Sequence, residues 1–312
     1  MSAIILGNGL NRCLKDYPSW DDLLSEISNE FFSGVDMNVN PLLRYDAIMC
    51  EAKSDYDITV TSSKMAQLLK ELDRLDLKNE DIDFLNAITD SNVNTILTTN
   101  YDYNLERALQ KRLVPSSSET KPHISWPQET SGSDKRHHIV GDIKVHHIHG
   151  ELNCPNSICL GITKYIDNLA KTMDLLSREQ PSQSGASLQK LIDSNVFTSQ
   201  PGWEKTWAEL LFNSNIYIVG FSLTPEELDI WWLLMRRAQL LSYEELKDQI
   251  RNKVYYFSLS SSDARQPDTK PFKALHITLK SYAVKDNDWR GAYRKVWKVI
   301  GLLEDQDKTR LT

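Results

Sequence analysis

Apolar and polar positions along the chain alternate between short β-branched runs and longer stretches with helical spacing. Ser2 to Leu6 is an apolar run ending in Gly7-Asn8-Gly9, which predicts a buried strand that turns sharply into the next element. Asn94 to Thr98, Ile143 to Ile148, Asn215 to Val219, Val254 to Leu259 and Leu275 to Leu279 predict further strands by length and β-branching. After the first strand the period becomes helical, with Trp20, Leu23, Leu24 and Ile27 on one face and Met65, Leu68, Leu69 and Leu72 on another. Tyr103 to Lys111, with Leu105, Ala108 and Leu109 on its buried side, predicts a helix, as do Ile162 to Leu176 and Trp289 to Leu303. A further helix opens at Thr224-Pro225-Glu226-Glu227, where Thr224 suits the N-cap, Pro225 the first position and Glu227 the capping box. Leu113 to Asp142 has no convincing period and reads as an irregular excursion, and Gln180 to Gly185 reads as a soft linker.

Strands without strict polar alternation, separated by helices, predict an α/β fold: a Rossmann-like, mostly parallel sheet with helices on both faces and helical insertions. Ser2 to Leu6 is its expected central strand. One domain is expected over residues 1–303, with a helical insertion at about 20–90, a smaller helical or loop insertion at about 153–213, and a tail over 304–312. A formal net charge of −7 and a pI near 5.6 argue against a broad surface for direct nucleic-acid binding. No apolar run approaches the ~20 residues that span a bilayer, and Ile4 is reached without a basic leader, so a cytoplasmic protein without a membrane segment is expected. Cys13, Cys50, Cys154 and Cys159 are too scattered for a disulfide framework and fit a reducing compartment.

Four segments carry glycines and polar residues near the ends of these runs: Gly7-Asn8-Gly9-Leu10-Asn11, Thr98-Thr99-Asn100-Tyr101-Asp102, His147-Ile148-His149-Gly150 and Val219-Gly220-Phe221-Ser222-Leu223. Open α/β sheets bind ligands at that edge. Gly7 and Gly9 predict a turn with positive φ whose amides face an anion, with a tight turn lacking a ligand as the alternative; Arg12 stands where a dinucleotide fingerprint has its third glycine. Asn100 can hold a ribose hydroxyl or a water, whereas Asp102 also suits an Asx turn capping the next helix. His149 would bring an imidazole, with an ordinary pKa of about 6.5, into the crevice as a general base. His146, His147, His149, Cys154 and Cys159 match no standard zinc spacing, and on a strand His147 and His149 share one face with His146 on the other, so no metal is expected. His147 then packs beside the sheet. Trp231-Trp232, beside Leu233-Leu234, fits either a core helix or a subunit interface.

In this order the four segments resemble the SIR2 superfamily, the NAD-consuming fold of the sirtuins, over most of the chain. Gly7-Asn8-Gly9-Leu10-Asn11 is similar to the family's first glycine loop, and Tyr17-Pro18-Ser19-Trp20 with Leu23-Leu24 to the Pro-Ser-Trp segment of bacterial SIR2-like proteins. Thr98 to Asp102 is similar to the Thr-x-Asn-x-Asp motif, His149-Gly150 to the catalytic His-Gly, and Gly220 to Leu223 to the Gly-x-Ser-Leu phosphate loop. The resemblance implies NAD+ as substrate, with Asn100 holding the nucleophile, His149 taking its proton and Asp102 contacting the nicotinamide amide. It implies that Gly7, Asn8, Gly9, Asn11, Thr99, Gly220 and Ser222 contact NAD+. Ser258, at the end of its strand, is a candidate for the adenosine side, beside a plain strand-end reading.

Sirtuin deacylases carry two Cys-x-x-Cys pairs for a structural zinc after the catalytic histidine, and this chain has Cys154 and Cys159 there. The chain therefore resembles the SIR2-like NAD hydrolases of bacterial anti-phage defence. The implied function is an NAD+ glycohydrolase that releases nicotinamide and ADP-ribose as the effector of abortive infection. The alternatives are an NAD-dependent protein deacylase or ADP-ribosyltransferase, and a non-catalytic sensor of NAD or ADP-ribose. An unrestrained NAD hydrolase is toxic to its host, so the expected partners are a separate sensor or activator subunit and a homo- or hetero-oligomer.

Overall fold

A computed structural model describes residues 2–31, 33–34, 40–55, 64–65, 67–70, 72–73, 76–113, 137–175, 207–223, 227–244, 247, 250–261 and 269–309. Among them, seven strands form one sheet: β1 (Ser2–Leu6), β2 (Thr95–Thr98), β3 (His138–Val140), β4 (Ile143–His147), β5 (Asn215–Val219), β6 (Val254–Ser261) and β7 (Ile277–Val284). Their order is β3-β4-β2-β1-β5-β6-β7, with β1 in the middle as its uniformly apolar sequence predicts. All neighbours are parallel except β3 and β4. The sheet is thus the mostly parallel, Rossmann-like one expected of the sequence.

β3 lies inside the stretch read as irregular. Three residues are too few to show a period, and the hairpin closes at Gly141, whose φ of +62° a side chain would resist. Residues 114–136 of that stretch, the cap Thr224-Pro225-Glu226 and the linker 180–185 lie outside the described residues. β6 and β7 run beyond their expected ends to Ser261 and Val284, because their second halves are half exposed at the sheet edge and so read as polar.

The helices are α1 (Trp20–Glu30), α2 (Pro41–Asp55), α3 (Asn79–Asn86), α4 (Asn104–Leu113), α5 (Gly161–Leu175), α6 (Leu228–Leu241) and α7 (Trp289–Thr309), with short helical turns between. α1 starts where Ser19 forms a capping box: its hydroxyl accepts from Asp22 N at 3.1 Å, and the Asp22 carboxylate accepts from Ser19 N at 2.7 Å. α7 does not stop at Leu303. Its next residue, Glu304, is buried and accepts hydrogen bonds from Ser2 Oγ and Tyr217 Oη, each at 2.6 Å, which holds residues 304–309 in the helix.

Successive residues of β1 serve opposite layers. Ala3 and Ile5 pack with Leu97, Ile216, Ile218 and with Trp232 and Leu233 of α6. Ile4 and Leu6 pack with Ile96, Val145, Tyr217, Val219 and with Val296, Trp297 and Ile300 of α7. Trp231 lies partly buried against the first layer, so both tryptophans of α6 serve the core. A third cluster joins Leu24 and Ile27 of α1, Ile48 of α2, Met65, Leu69 and Leu72 to Tyr101, Leu152 and Leu160, seating the helical insertion against the loops that follow β2 and β4. No described helix is long and apolar enough to cross a membrane.

The register decides where the turns lie. Leu6 pairs with both Thr98 and Val219, Thr98 with His147, and Val219 with Phe257. The ladder continues one step past the strands, with Gly7 N donating to Val219 O (3.1 Å), Thr99 N to Leu6 O (3.1 Å) and Ile148 N to Thr98 O (2.9 Å). Four strands therefore release their turns at one level. Gly7 and Gly9 do not have the positive φ expected of them; among the glycines of the two phosphate-type turns, Gly220 does, at +63°. Gly7 is required by close approach instead. A Cβ there would stand 2.5 Å from Gly220 O and 2.7 Å from Phe221 Cα. Gly7→Ala should destabilise the fold by about 1–3 kcal/mol through overpacking, seen as a lower urea midpoint at unchanged slope. Gly34→Ala, with nothing within 4 Å of its Cβ, should leave the midpoint in place.

Candidate active site

The turns after β1, β2, β4 and β5, together with β6 and the start of α7, enclose a cavity of about 1150 Å³. It opens at the carboxyl edge of the sheet beside β1, whose neighbours β2 and β5 carry the chain away in opposite directions, the point where open α/β sheets bind ligands. Asn8, Gly9, Thr99, Asn100, His149, Gly220, Ser222 and Ser258 line it. Gly7, Asn11 and Asp102 do not; all three are set into the structure rather than among its lining residues. Ser258 is not at a strand end: β6 continues past it, with Ser258 opposite Ser281 of β7.

Asp102 is fully engaged by the protein. Its Oδ2 accepts from Asn11 Nδ2 and Tyr17 Oη, each at 2.7 Å, and its Oδ1 accepts from Asn104 N at 3.0 Å. The last bond is the Asx turn that starts α4, and the first two tie that helix to the segment following the first glycine turn. Burial pushes its pKa up to about 6, against the hydrogen bonds from Tyr17 and Asn104. The carboxylate thus braces the wall instead of reaching into the cavity.

Asn100 lies half-buried at the cavity. Its amide N donates to Thr98 Oγ1 at 3.1 Å and its Nδ2 to Gly7 O at 3.5 Å, so its side-chain oxygen is not consumed by these contacts. The amides of Gly7 and Gly9, expected to face an anion, instead donate to Val219 O at 3.1 Å and Gly220 O at 2.8 Å. These bonds hold the two glycine turns together. Arg12, exposed at the same cavity, supplies a cation there.

His149 is 1% exposed and is fixed from α6: its Nε2 lies 3.0 Å from Asp229 Oδ2 and 3.2 Å from Oδ1. Asp229, fully buried, also accepts from Asn168 Nδ2 of α5 at 2.8 Å and from Ile230 N at 2.9 Å. Nδ1 of His149 lies 3.7 Å from Glu227 Oε2, and Glu227 lines the cavity. Burial alone would depress the imidazole pKa; Asp229, then Glu227, overcome it and raise it to about 9. Gly150 allows the sharp exit that aims His149 this way, with φ +94° and a Cβ position only 2.2 Å from Ser157 O.

His147 and His149 do not share a face. β4 ends at His147, the alternation ends with it, and the two rings go to different helices: His147 to Glu106 of α4, His149 to Asp229 of α6. His147 is buried against the rings of Tyr103 and His138, beside the sheet as expected. Two groups of side chains, Glu106–His138–His147 and His149–Glu227–Asp229, bring metal-capable atoms within 4.8 Å of one another. In both, imidazole and carboxylate already meet at hydrogen-bond distance, 2.6 Å for His147–Glu106 and 3.0 Å for His149–Asp229. Cys159 packs with Leu42 and Tyr165, and burial pushes its thiol up to about 12.

Asp229, Asn168 and Glu106 went unread in the sequence, and Glu227 was read as a capping-box residue, whereas α6 starts after it at Leu228 with no side-chain cap from it. Asp229 and Glu227 look like ordinary acids at a helix start. Glu106 left a trace, since it stands one turn before Leu109 and therefore beside the apolar stripe of its helix.

The His149–Asp229 pair carries a signed pH dependence. His149 binds its proton more tightly folded than unfolded, so its contribution to stability is complete below about pH 6.5 and disappears as pH rises through about 9. Asp229 is held below its ordinary range, so the same pair also weakens as pH falls through that depressed value. In an imidazole NMR titration, Asp229→Asn should move the His149 pKa down from about 9 by more than one unit, because burial then acts with less opposition.

Comparison with protein families matches residues 94–277 to the SIR2-like domain, a span that runs from the start of β2 to the start of β7 and contains Asn100, His149, Gly220 and Asp229. No curated protein matches the chain. A family match over more than half the chain, on the parallel sheet and with the His-Gly and Gly-x-Ser-Leu turns facing one cavity, has one meaning: this chain is a member of the SIR2-like domain family.

Proposed function

We propose that the chain is an NAD+ glycohydrolase that cleaves the bond between nicotinamide and ribose, releasing nicotinamide and ADP-ribose. The observation that carries this reading is the convergence of Asn100, His149 and the paired glycine turns on one cavity, with the imidazole anchored from behind by a buried carboxylate. The cavity volume, about 1150 Å³, sits above the usual ~300–1000 Å³ of ligand pockets and suits a substrate as long as a dinucleotide.

Departure of nicotinamide carries positive charge onto the ribose and gives a neutral leaving group, so the site needs no strong acid. It needs to hold the pyrophosphate, fix the sugar and present a nucleophile to the anomeric carbon. Arg12 and the amides of the glycine turns other than those of Gly7 and Gly9 receive the phosphates. Asn100 orients the attacking water through its side-chain oxygen. The carbon–nitrogen bond breaks, the water oxygen bonds to the anomeric carbon, and its proton passes to His149 Nδ1, while Asp229 keeps Nε2 protonated and the ring in place. Asp102 and Asn11 act here as positioning residues, and Ser222 and Ser258 as contacts along the dinucleotide. The chain has Cys154 and Cys159 where sirtuin deacylases carry two Cys-x-x-Cys pairs, which supports the hydrolase reading over the deacylase alternative. The resemblance to the defence enzymes supports a role for this activity as the effector of an anti-phage abortive-infection response, held off until a partner subunit or self-assembly releases it.

The test is nicotinamide and ADP-ribose release from NAD+ by the purified chain, alone and with the proteins encoded beside it. Asn100→Ala and His149→Ala should each lower the rate by roughly 10²- to 10⁴-fold while the circular dichroism spectrum stays unchanged. kcat/KM should rise with pH and level off above about 9, where Nδ1 is free to accept a proton. NAD+ binding without product under every condition would instead identify a sensor, and turnover only with an acyl-peptide or protein acceptor would identify a transferase.

A further inference from the structure

Behind Asn100 lies a buried charged pair that the proposed chemistry does not use. Nδ1 of His147 is 2.7 Å from the backbone oxygen of Asn100, and Nε2 is 2.6 Å from Oε1 of Glu106, itself 1% exposed. The Asn100 carbonyl only accepts, and, against burial, Glu106 raises the imidazole pKa to about 9, so the ring donates at both ends. One donor grips the backbone of the cavity residue and the other grips α4. Beside this grip, the Asn100 backbone N donates to Thr98 Oγ1 at 3.1 Å, and its side-chain bond to Gly7 O is long at 3.5 Å.

We propose that His147, oriented by Glu106, is a positioning residue for Asn100: it fixes the plane of the Asn100–Tyr101 peptide and thereby the direction in which the Asn100 side chain enters the cavity. The inference rests on the nicotinamide-releasing reading above. A nucleophile-holding group must sit within about 10–20° of its productive direction. Loss of this grip therefore lowers kcat and leaves substrate binding, made along the glycine turns, unchanged.

Two replacements separate positioning from plain structural support. An asparagine at 147 places an amide donor near the position of Nδ1, whereas a glutamine reaches the position of Nε2. Both are made in a Glu106→Gln background, so that neither leaves a buried carboxylate unpaired. Glu106→Gln with His147→Asn should keep kcat for nicotinamide release within about threefold of Glu106→Gln alone. Glu106→Gln with His147→Gln should lower kcat about 10- to 100-fold at unchanged KM. Equal activity in the two, whether both high or both low, overturns the proposal. A wild-type chain that releases no nicotinamide alone or with its neighbours overturns the functional reading and this inference with it; an active wild type with indistinguishable variants overturns the inference alone. If the double variants do not fold, ¹⁵N NMR of the wild-type imidazole decides. Two protonated nitrogens, with a coupling from Nδ1–H to the Asn100 carbonyl, support the proposal, and an unprotonated Nδ1 overturns it.

Discussion

The site depends on the parallel register of β1 with its two neighbours. Leu6 is level with Thr98 on one side and Val219 on the other, and Thr98 is level with His147. Because a parallel ladder points every strand the same way, equal register brings the turn after each strand to one edge. Residues separated by more than 200 positions, such as Gly9 and Gly220, thereby meet within one hydrogen bond of 2.8 Å. The contact tolerates no side chain at Gly7, where the backbone of the second turn occupies the space of a Cβ. The glycines of this turn serve backbone contact between two loops, and Arg12 is a cation at the cavity beside them.

Around that frame the protein buries imidazole–carboxylate pairs, among them His147–Glu106 and His149–Asp229, whose carboxylates stand on different helices. Burying such a pair is costly, and breaking one by removing a partner commonly costs about 3–5 kcal/mol because an unpaired charge is left inside. Hydrophobic residues of the same size would hold the layers together at least as well. What the pairs add is direction. An imidazole bonded at Nε2 to Asp229 has one ring position and presents Nδ1 on the other side, and one bonded at Nε2 to Glu106 presents its second donor to Asn100. Asp102 acts in the same manner through three hydrogen bonds that close α4, Asn11 and Tyr17 into a unit.

Much of this was legible in the chain. The central strand is the uniformly apolar Ser2–Leu6, and Asn215–Val219 has the bounds its β-branched run predicts, because buried parallel strands are apolar on both faces. The edge elements were less legible. β3 is three residues long and has no pattern that separates it from a loop, whereas β7 was legible as a strand over Leu275 to Leu279 but not in its extension to Val284 along the open edge. At the cavity, Asn100, His149, Gly9, Gly220 and Ser222 were readable as polar or glycine residues just past apolar runs, and all of them line it. Asp102 was readable in kind but not in place, since an Asx turn and a ligand contact ask for the same residue.

The sequence by itself determined the class of the fold, the central strand, the turns that matter and the family they resemble, because these come from local periodicity and short-range motifs. Only the tertiary structure decided which acid stands behind each histidine. Asp229 lies 80 residues from His149 and Glu106 lies 41 residues from His147, and nothing local says which histidine each carboxylate meets. It also decided that the two histidines part company, because the strand that would have kept them on one face ends between them. The physical reason is common to both cases: the burial, partners and proton affinity of a side chain are set by what packs on it across the fold, while its own neighbours in sequence set only its backbone.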